Sequence, residues 1–127
     1  MLRATNTEIQ LNNIAHNISV IKALQKPGTK YLAVVKANAY GHGIEEVARF
    51  VQKHGADYLG VAIAEEGARL RAAGVTIPIL ILGASMDTHL SCIVENDLIP
   101  TVFSTHTLQE LQNTAARLGK LCRFHFK

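Results

Sequence analysis

No stretch of this chain approaches the roughly 18 uninterrupted apolar residues that a membrane-spanning helix needs. The opening, MLRATNTEIQ, is too polar for the apolar core of a signal peptide. No membrane partner is therefore expected, and the cytoplasm is the expected compartment. Nine glycines and three prolines are too few for a collagenous or low-complexity chain. There are only two cysteines, Cys92 and Cys122, without the spacing of a metal site or a disulfide framework. Both read as buried structural thiols, and no metal is expected. A basic face interleaved with aromatics is also missing. Thirteen Lys and Arg stand against ten Asp and Glu, and after Glu110 come Arg117, Lys120, Arg123 and Lys127 with no acid among them. Nucleic acid is not an expected partner.

What remains is ordinary globular material. With 127 residues, 48% hydrophobic and 18% charged, the chain supports one domain with a sizeable core. Thr5–Leu11 alternates polar and apolar like a half-buried strand. Ile14, Ile18 and Ile21 then share a helical face, closed by Pro27-Gly28. Apolar strand-like runs begin at 31, 58, 77, 99 and 121, which are 27, 19, 22 and 22 residues apart. Helical patterns fill the gaps at Ile44–His54, Ala64–Ala73, about Thr88–Glu95 and Thr105–Leu118. Gly55, Gly74 and Gly119 close three of these, and Ser104 or Thr105 caps the last.

This is the rhythm of short βα units, so a parallel α/β fold is expected. Periodicity alone leaves a closed barrel and a doubly wound sheet both open. The last strand-like run, Leu121–Phe126, has no helix after it, and five such strands do not close an eight-stranded barrel. The chain reads as the first part of a longer protein.

The most unusual residue is Lys36, at the end of the run YLAVVK. Leu32, Val34 and Lys36 share one strand face, opposite Ala33 and Val35. On a barrel interior that places a lysine at the C-terminal end, where parallel α/β folds assemble active sites. A lysine in such surroundings can form a Schiff base with an aldehyde cofactor. The loop Ala37-Asn38-Ala39-Tyr40-Gly41-His42-Gly43 leads into a helix whose free N–H groups suit an anion, with Tyr40 placed to reach a phosphate. His42 reads as a loop residue, since no second histidine stands at ligand spacing. Glu65 and Glu66 read as solvated charges at a helix start, where acids complement the dipole.

Taken whole, AVVKANAYGHG resembles the pyridoxal-phosphate attachment motif of the bacterial alanine racemase family. The likeness extends over essentially all 127 residues. RATNTEIQLNNIAHNISVIK looks like that family's N-terminal strand and helix. YLGVAIAEEGARLRAAGVTIPILILG, LIPTVFS and LCRFHFK look like its following barrel strands.

The resemblance implies a TIM-like (β/α)8 barrel whose first part is present here. Residues 1–11 would form an N-terminal strand that joins a C-terminal β domain absent from this chain, and residues 12–127 the start of the cofactor-binding barrel. It implies pyridoxal 5'-phosphate as cofactor and interconversion of L- and D-alanine for cell-wall supply. Protons would move between two bases through an external aldimine, in a homodimeric full-length enzyme.

Lys36 falls on the family's cofactor lysine and first base, Tyr40 on its phosphate-contacting tyrosine, and Val34 and Leu82 on apolar pocket positions. Lys127 aligns with a lysine that many members carry as an N-carbamate, orienting a downstream arginine. The second base is a tyrosine of the partner's β domain, so these 127 residues alone are expected to be inactive. Two departures stand in the first strand, where Asn6 and Gln10 replace a frequent tryptophan and acid, and Ser85 replaces a bulkier residue of some relatives. A non-catalytic pyridoxal-phosphate carrier barrel and a related decarboxylase are the alternatives. Both keep a cofactor lysine but lack the following tyrosine-glycine-histidine-glycine.

Overall fold

The computed structural model describes residues 6–127. Helix α1 spans Leu11–Leu24 and strand β1 Leu32–Val34. Then come α2 (Ile44–Lys53), β2 (Tyr58–Val61), α3 (Ala64–Ala72) and β3 (Ile79–Ala84). A 3-10 turn, Asp87–His89, leads into α4 (Leu90–Glu95), followed by β4 (Ile99–Val102), α5 (Thr105–Arg117) and β5 (His125–Phe126).

The five strands form one sheet in the order β1-β2-β3-β4-β5, and every neighbouring pair is parallel. Here the structure decides what periodicity left open. A doubly wound sheet reverses its strand order part-way, whereas this one adds each strand beside the last, as a barrel wall does.

Register divides the sheet into two faces. Ala33, Leu59 and Ile79 lie side by side, as do Val61, Ile81 and Pro100. Leu59, Val61, Ile79 and Ile81 are at most 1% exposed, packed under the helices with Ile44, Leu70, Leu90 and Ile93. The opposite row runs Val34, Gly60, Leu80, Ile99. On this face Val34 and, two residues beyond Leu80, Leu82 keep more than a third of their surface exposed, at 39% and 36%. That face is the wall of a barrel interior.

The helices begin and end for local reasons. Ser104 Oγ accepts from the Thr107 N–H (3.1 Å), capping α5 as expected. Glu45 and Glu46 in the first turn of α2, and Lys53 in its last, complement the helix dipole. At the N-terminal end of the sheet Arg71 donates to four carbonyls, those of Val75, Ile77, Asn96 and Asp97, at 2.8–3.1 Å. One guanidinium thus ties the loop before β3 to the loop before β4. Among the described residues no helix is long and apolar enough to cross a membrane.

Three expectations need correction. Leu11, expected in the N-terminal strand, already belongs to α1; residues 6–10 make no ladder with this sheet, the strand's expected partner being a C-terminal β domain, and Met1–Thr5 lie outside the described residues. A strand needs a neighbour to take its N–H and C=O groups, and all five strands of the sheet lie later in the chain. The last strand is only His125–Phe126, because residues 121–124 make no ladder with β4. The cysteines are free but only half-buried, Cys92 on α4 and Cys122 in the segment before β5.

Besides the open inner face, Leu121 before β5 and Phe126 within it stand 98% and 75% exposed. Apolar surface of this kind on a sheet edge drives association. The 127-residue chain by itself is expected to self-associate and to bind a hydrophobic dye in light-scattering and fluorescence measurements. A monodisperse monomer that melts cooperatively and binds no dye would contradict this.

Candidate active site

β1 ends at Val34, and Val35 extends its ladder by one bond, donating to the Gly60 carbonyl at 2.9 Å. The backbone then does something rare for L-residues. Ala37, Asn38, Ala39 and Tyr40 all carry positive φ, between 51° and 56°, forming a turn of left-handed helix immediately after Lys36. Each such residue costs roughly 1–2 kcal/mol relative to the right-handed form. Only the asparagine is a residue type that tolerates it well.

The turn persists because its polar groups are satisfied. Ala39 N–H donates to the Val35 carbonyl (2.8 Å), His42 N–H to Ala39 (3.1 Å), and Gly43 N–H to Asn38 (3.0 Å). Asn38 Oδ1 accepts from the Ile44 N–H at 3.0 Å, and so caps α2. That helix start is therefore partly taken by the chain's own side chain, where the sequence suggested free N–H groups for an anion. His42 turns back onto the turn, its Nδ1 2.9 Å from the Ala39 carbonyl.

Glu66 was read as a solvated helix-start charge, and the structure corrects this. From the first turn of α3 its Oε1 accepts from the Ala37 N–H (2.7 Å) and its Oε2 from the Ala62 N–H (2.8 Å). Hydrogen bonds to an ionised acceptor contribute about 1.5–3 kcal/mol. With the Asn38 cap, they are of the order needed to offset the strain of the turn. Its neighbour Glu65 faces His89 instead, at 3.5 Å.

Around this turn the expected site residues divide into two groups. Lys36 is half-buried at the C-terminal end of β1. Below it, Val34 and Leu82 converge over Gly60. A Cβ built there would lie 2.9 Å from Leu32 Cδ2, 3.2 Å from Leu82 Cδ1 and 3.4 Å from Val34 Cγ2. The absent side chain lets Leu32, Val34 and Leu82 close over the Gly60 backbone on the inner face. Ser85, in the loop after β3, has a buried Oγ with no hydrogen-bond partner.

Tyr40, at the far end of the turn, is 61% exposed. Lys127 lies across the sheet from Lys36, just past β5, its N–H donating to the Val102 carbonyl at 2.9 Å. It follows His125 by two residues, and the ladder sets His125 beside Thr101. Burial pushes the Cys92 and Cys122 thiols up, so neither is poised as a thiolate. Nearby, His106 Nε2 lies 2.9 Å from Asp87 Oδ2, and that hydrogen bond raises the imidazole above its ordinary value.

Over residues 9–127 the chain matches the family described as alanine racemase, N-terminal domain. The chain belongs to the alanine racemase family. Alanine racemase 1 of Caldanaerobacter subterraneus subsp. tengcongensis is 40% identical over 126 residues, covering 99% of this chain and 32% of the relative. A solved alanine racemase from Clostridium difficile 630 aligns with a TM-score of 0.88 at 40% identity, covering 91% of this chain and 30% of that one. A histidine racemase from Leuconostoc mesenteroides subsp. sake aligns at 0.79 and 26% identity, covering 92% of this chain and 34% of that one. The chain spans about a third of the length of the curated relatives it matches. Its parallel sheet is the first part of the alanine racemase (β/α)8 barrel.

Within this racemase barrel the left-handed turn makes a direct prediction. Asn38→Ala removes the α2 cap and is expected to lower stability by about 1 kcal/mol in urea unfolding of the full-length protein. Asn38→Asp, which keeps an acceptor, should lose less. Equal stability of Asn38→Ala and the parent would contradict the role given to the side chain.

Proposed function

We propose that the full-length protein is a pyridoxal 5'-phosphate-dependent racemase that interconverts L- and D-alanine. One observation carries the reading. A half-buried Lys36 is held at the C-terminal end of β1, beside the exposed apolar side chains of Val34 and Leu82, by a strained turn bonded to Val35, Glu66 and the start of α2. The residues present fit the cofactor. A planar ring needs apolar surface to lie against, which the part-exposed Val34 and Leu82 provide on the inner face. The unpartnered Ser85 hydroxyl offers a polar contact in the loop after β3. The exposed phenol of Tyr40 is free to donate to a phosphate.

Bound there, the cofactor would supply an electron sink that acidifies the α-proton of an amino acid. Lys36 would hold the cofactor through Nζ and, as a free amine, would take or return the α-proton on one face. Tyr40 anchors phosphate and transfers no proton. Lys127, carried as an N-carbamate, would turn a cation into a carboxylate-like partner for an arginine beyond this chain. The second base comes from the C-terminal β domain of a partner subunit, so the enzyme acts as a homodimer and these 127 residues alone are inactive. D-Alanine for the cell wall is the product this reading assigns.

Alanine as substrate rests on the names of the relatives. The histidine racemase shares this part of the fold, which supports placing side-chain selection in residues that follow Lys127.

Borohydride reduction of the full-length protein should fix the cofactor to the peptide containing Lys36, and Lys36→Ala should abolish racemisation. A label on Lys30 or Lys127 instead would sink the assignment. Tyr40→Phe removes one hydrogen bond to a charged group, so cofactor affinity should fall about tenfold to a hundredfold. Lost turnover at saturating cofactor, with affinity unchanged, would contradict the anchoring role.

A further inference from the structure

Glu66 holds two N–H groups from segments that leave different strands, Ala37 after β1 and Ala62 after β2. The Ala62 bond is short-range, |i−j| of 4, and any acid near a helix start can make one like it. The Ala37 bond spans 29 residues and ends on the amide directly after Lys36, the first left-handed residue of the turn. A carboxylate offers an acceptor oxygen to each donor at once, and both are used, at 2.7 and 2.8 Å. Through this one side chain the C-terminal ends of β1 and β2 are stitched together at the point where the lysine leaves the sheet.

We infer that Glu66 is a positioning residue for Lys36: its carboxylate fixes the backbone on which Nζ is carried toward the cofactor, without itself touching cofactor or substrate. This rests on the reading of Lys36 as the attachment lysine. Fixing the Ala37 amide fixes the peptide plane between Lys36 and Ala37, and with it the direction in which the lysine side chain starts. A side chain released from that clamp samples other directions, and small misplacements of a reacting group cost large factors in rate. Supporting residues one step removed from a reacting centre commonly carry ten- to a hundredfold effects.

Glu66→Gln is the informative change. The amide keeps size and shape and one acceptor oxygen, enough for the local bond to Ala62. It turns its NH2 toward the Ala37 N–H, placing donor against donor. In the full-length protein freed of cofactor, the visible band of the lysine-bound cofactor should then develop about tenfold to a hundredfold more slowly per folded molecule. In the loaded enzyme kcat should fall with it, while KM for alanine changes by less than about twofold.

A purely structural role would lower the melting temperature and leave the attachment rate per folded molecule unchanged; that result overturns the inference. Lys36→Ala, measured in parallel, separates the two claims. If it attaches no cofactor while Glu66→Gln attaches at the parental rate, the positioning role falls and Lys36 stands. If Lys36→Ala still attaches cofactor, the underlying reading falls as well. Should Glu66→Gln yield no folded protein, Glu66→Asp decides. One methylene shorter, it cannot span both donors, so attachment should slow severalfold, and an unchanged rate overturns the proposal.

Discussion

Four consecutive L-residues in left-handed conformation are stable only where their surroundings hold them, and the turn after Lys36 is held on three sides. Its own backbone bonds close it against Val35. Asn38 ties it forward to the start of α2, and Glu66 ties it sideways to the end of β2. Without those contacts the chain would relax toward ordinary loop geometry, and Lys36 would lose its fixed place at the rim of the sheet. The strain is local, while its support comes from three different elements of the fold.

The parallel winding makes that support available. Because each strand lies beside the previous one, the first turn of the helix after β2 stands next to the end of β1, within reach of one glutamate side chain. The same winding sorts the sheet into a face sealed by helices and a face left for a ligand. Gly60 matters on the second face, since any side chain there would meet Leu32, Leu82 and Val34. The apolar surface of Val34 and Leu82 and the amine of Lys36 therefore lie on one wall.

Much of this was legible beforehand. Apolar runs and glycine stops placed four βα units and a fifth strand, and the cap at Ser104 was readable from its residue type. The direction of winding was not, because strand order is a long-range property that periodicity does not carry. The left-handed turn was hidden for another reason: positive φ is ordinarily signalled by glycine, and here two alanines and a tyrosine adopt it. Glu66 was misread because its position three residues into a helix has a sufficient local explanation. The bond to Ala37 that changes its meaning connects residues 29 apart. Residues 6–10 make no ladder with this sheet, and the strand expected within 1–11 is one that pairs with a C-terminal β domain. Cofactor and reaction came from the resemblance of AVVKANAYGHG and from the relatives, not from residue spacing.

The central claim is that the backbone after Lys36 is a rigid, bonded unit and not a loop. Native-state hydrogen exchange on the full-length protein, resolved at single amides, tests it most directly. Ala37, Ala39, Gly43 and Ile44 should exchange as slowly as the neighbouring amides of β1 and β2, opening only with larger parts of the barrel. Exchange of these four amides at the rate of an unstructured loop, with the strands still protected, would contradict the account.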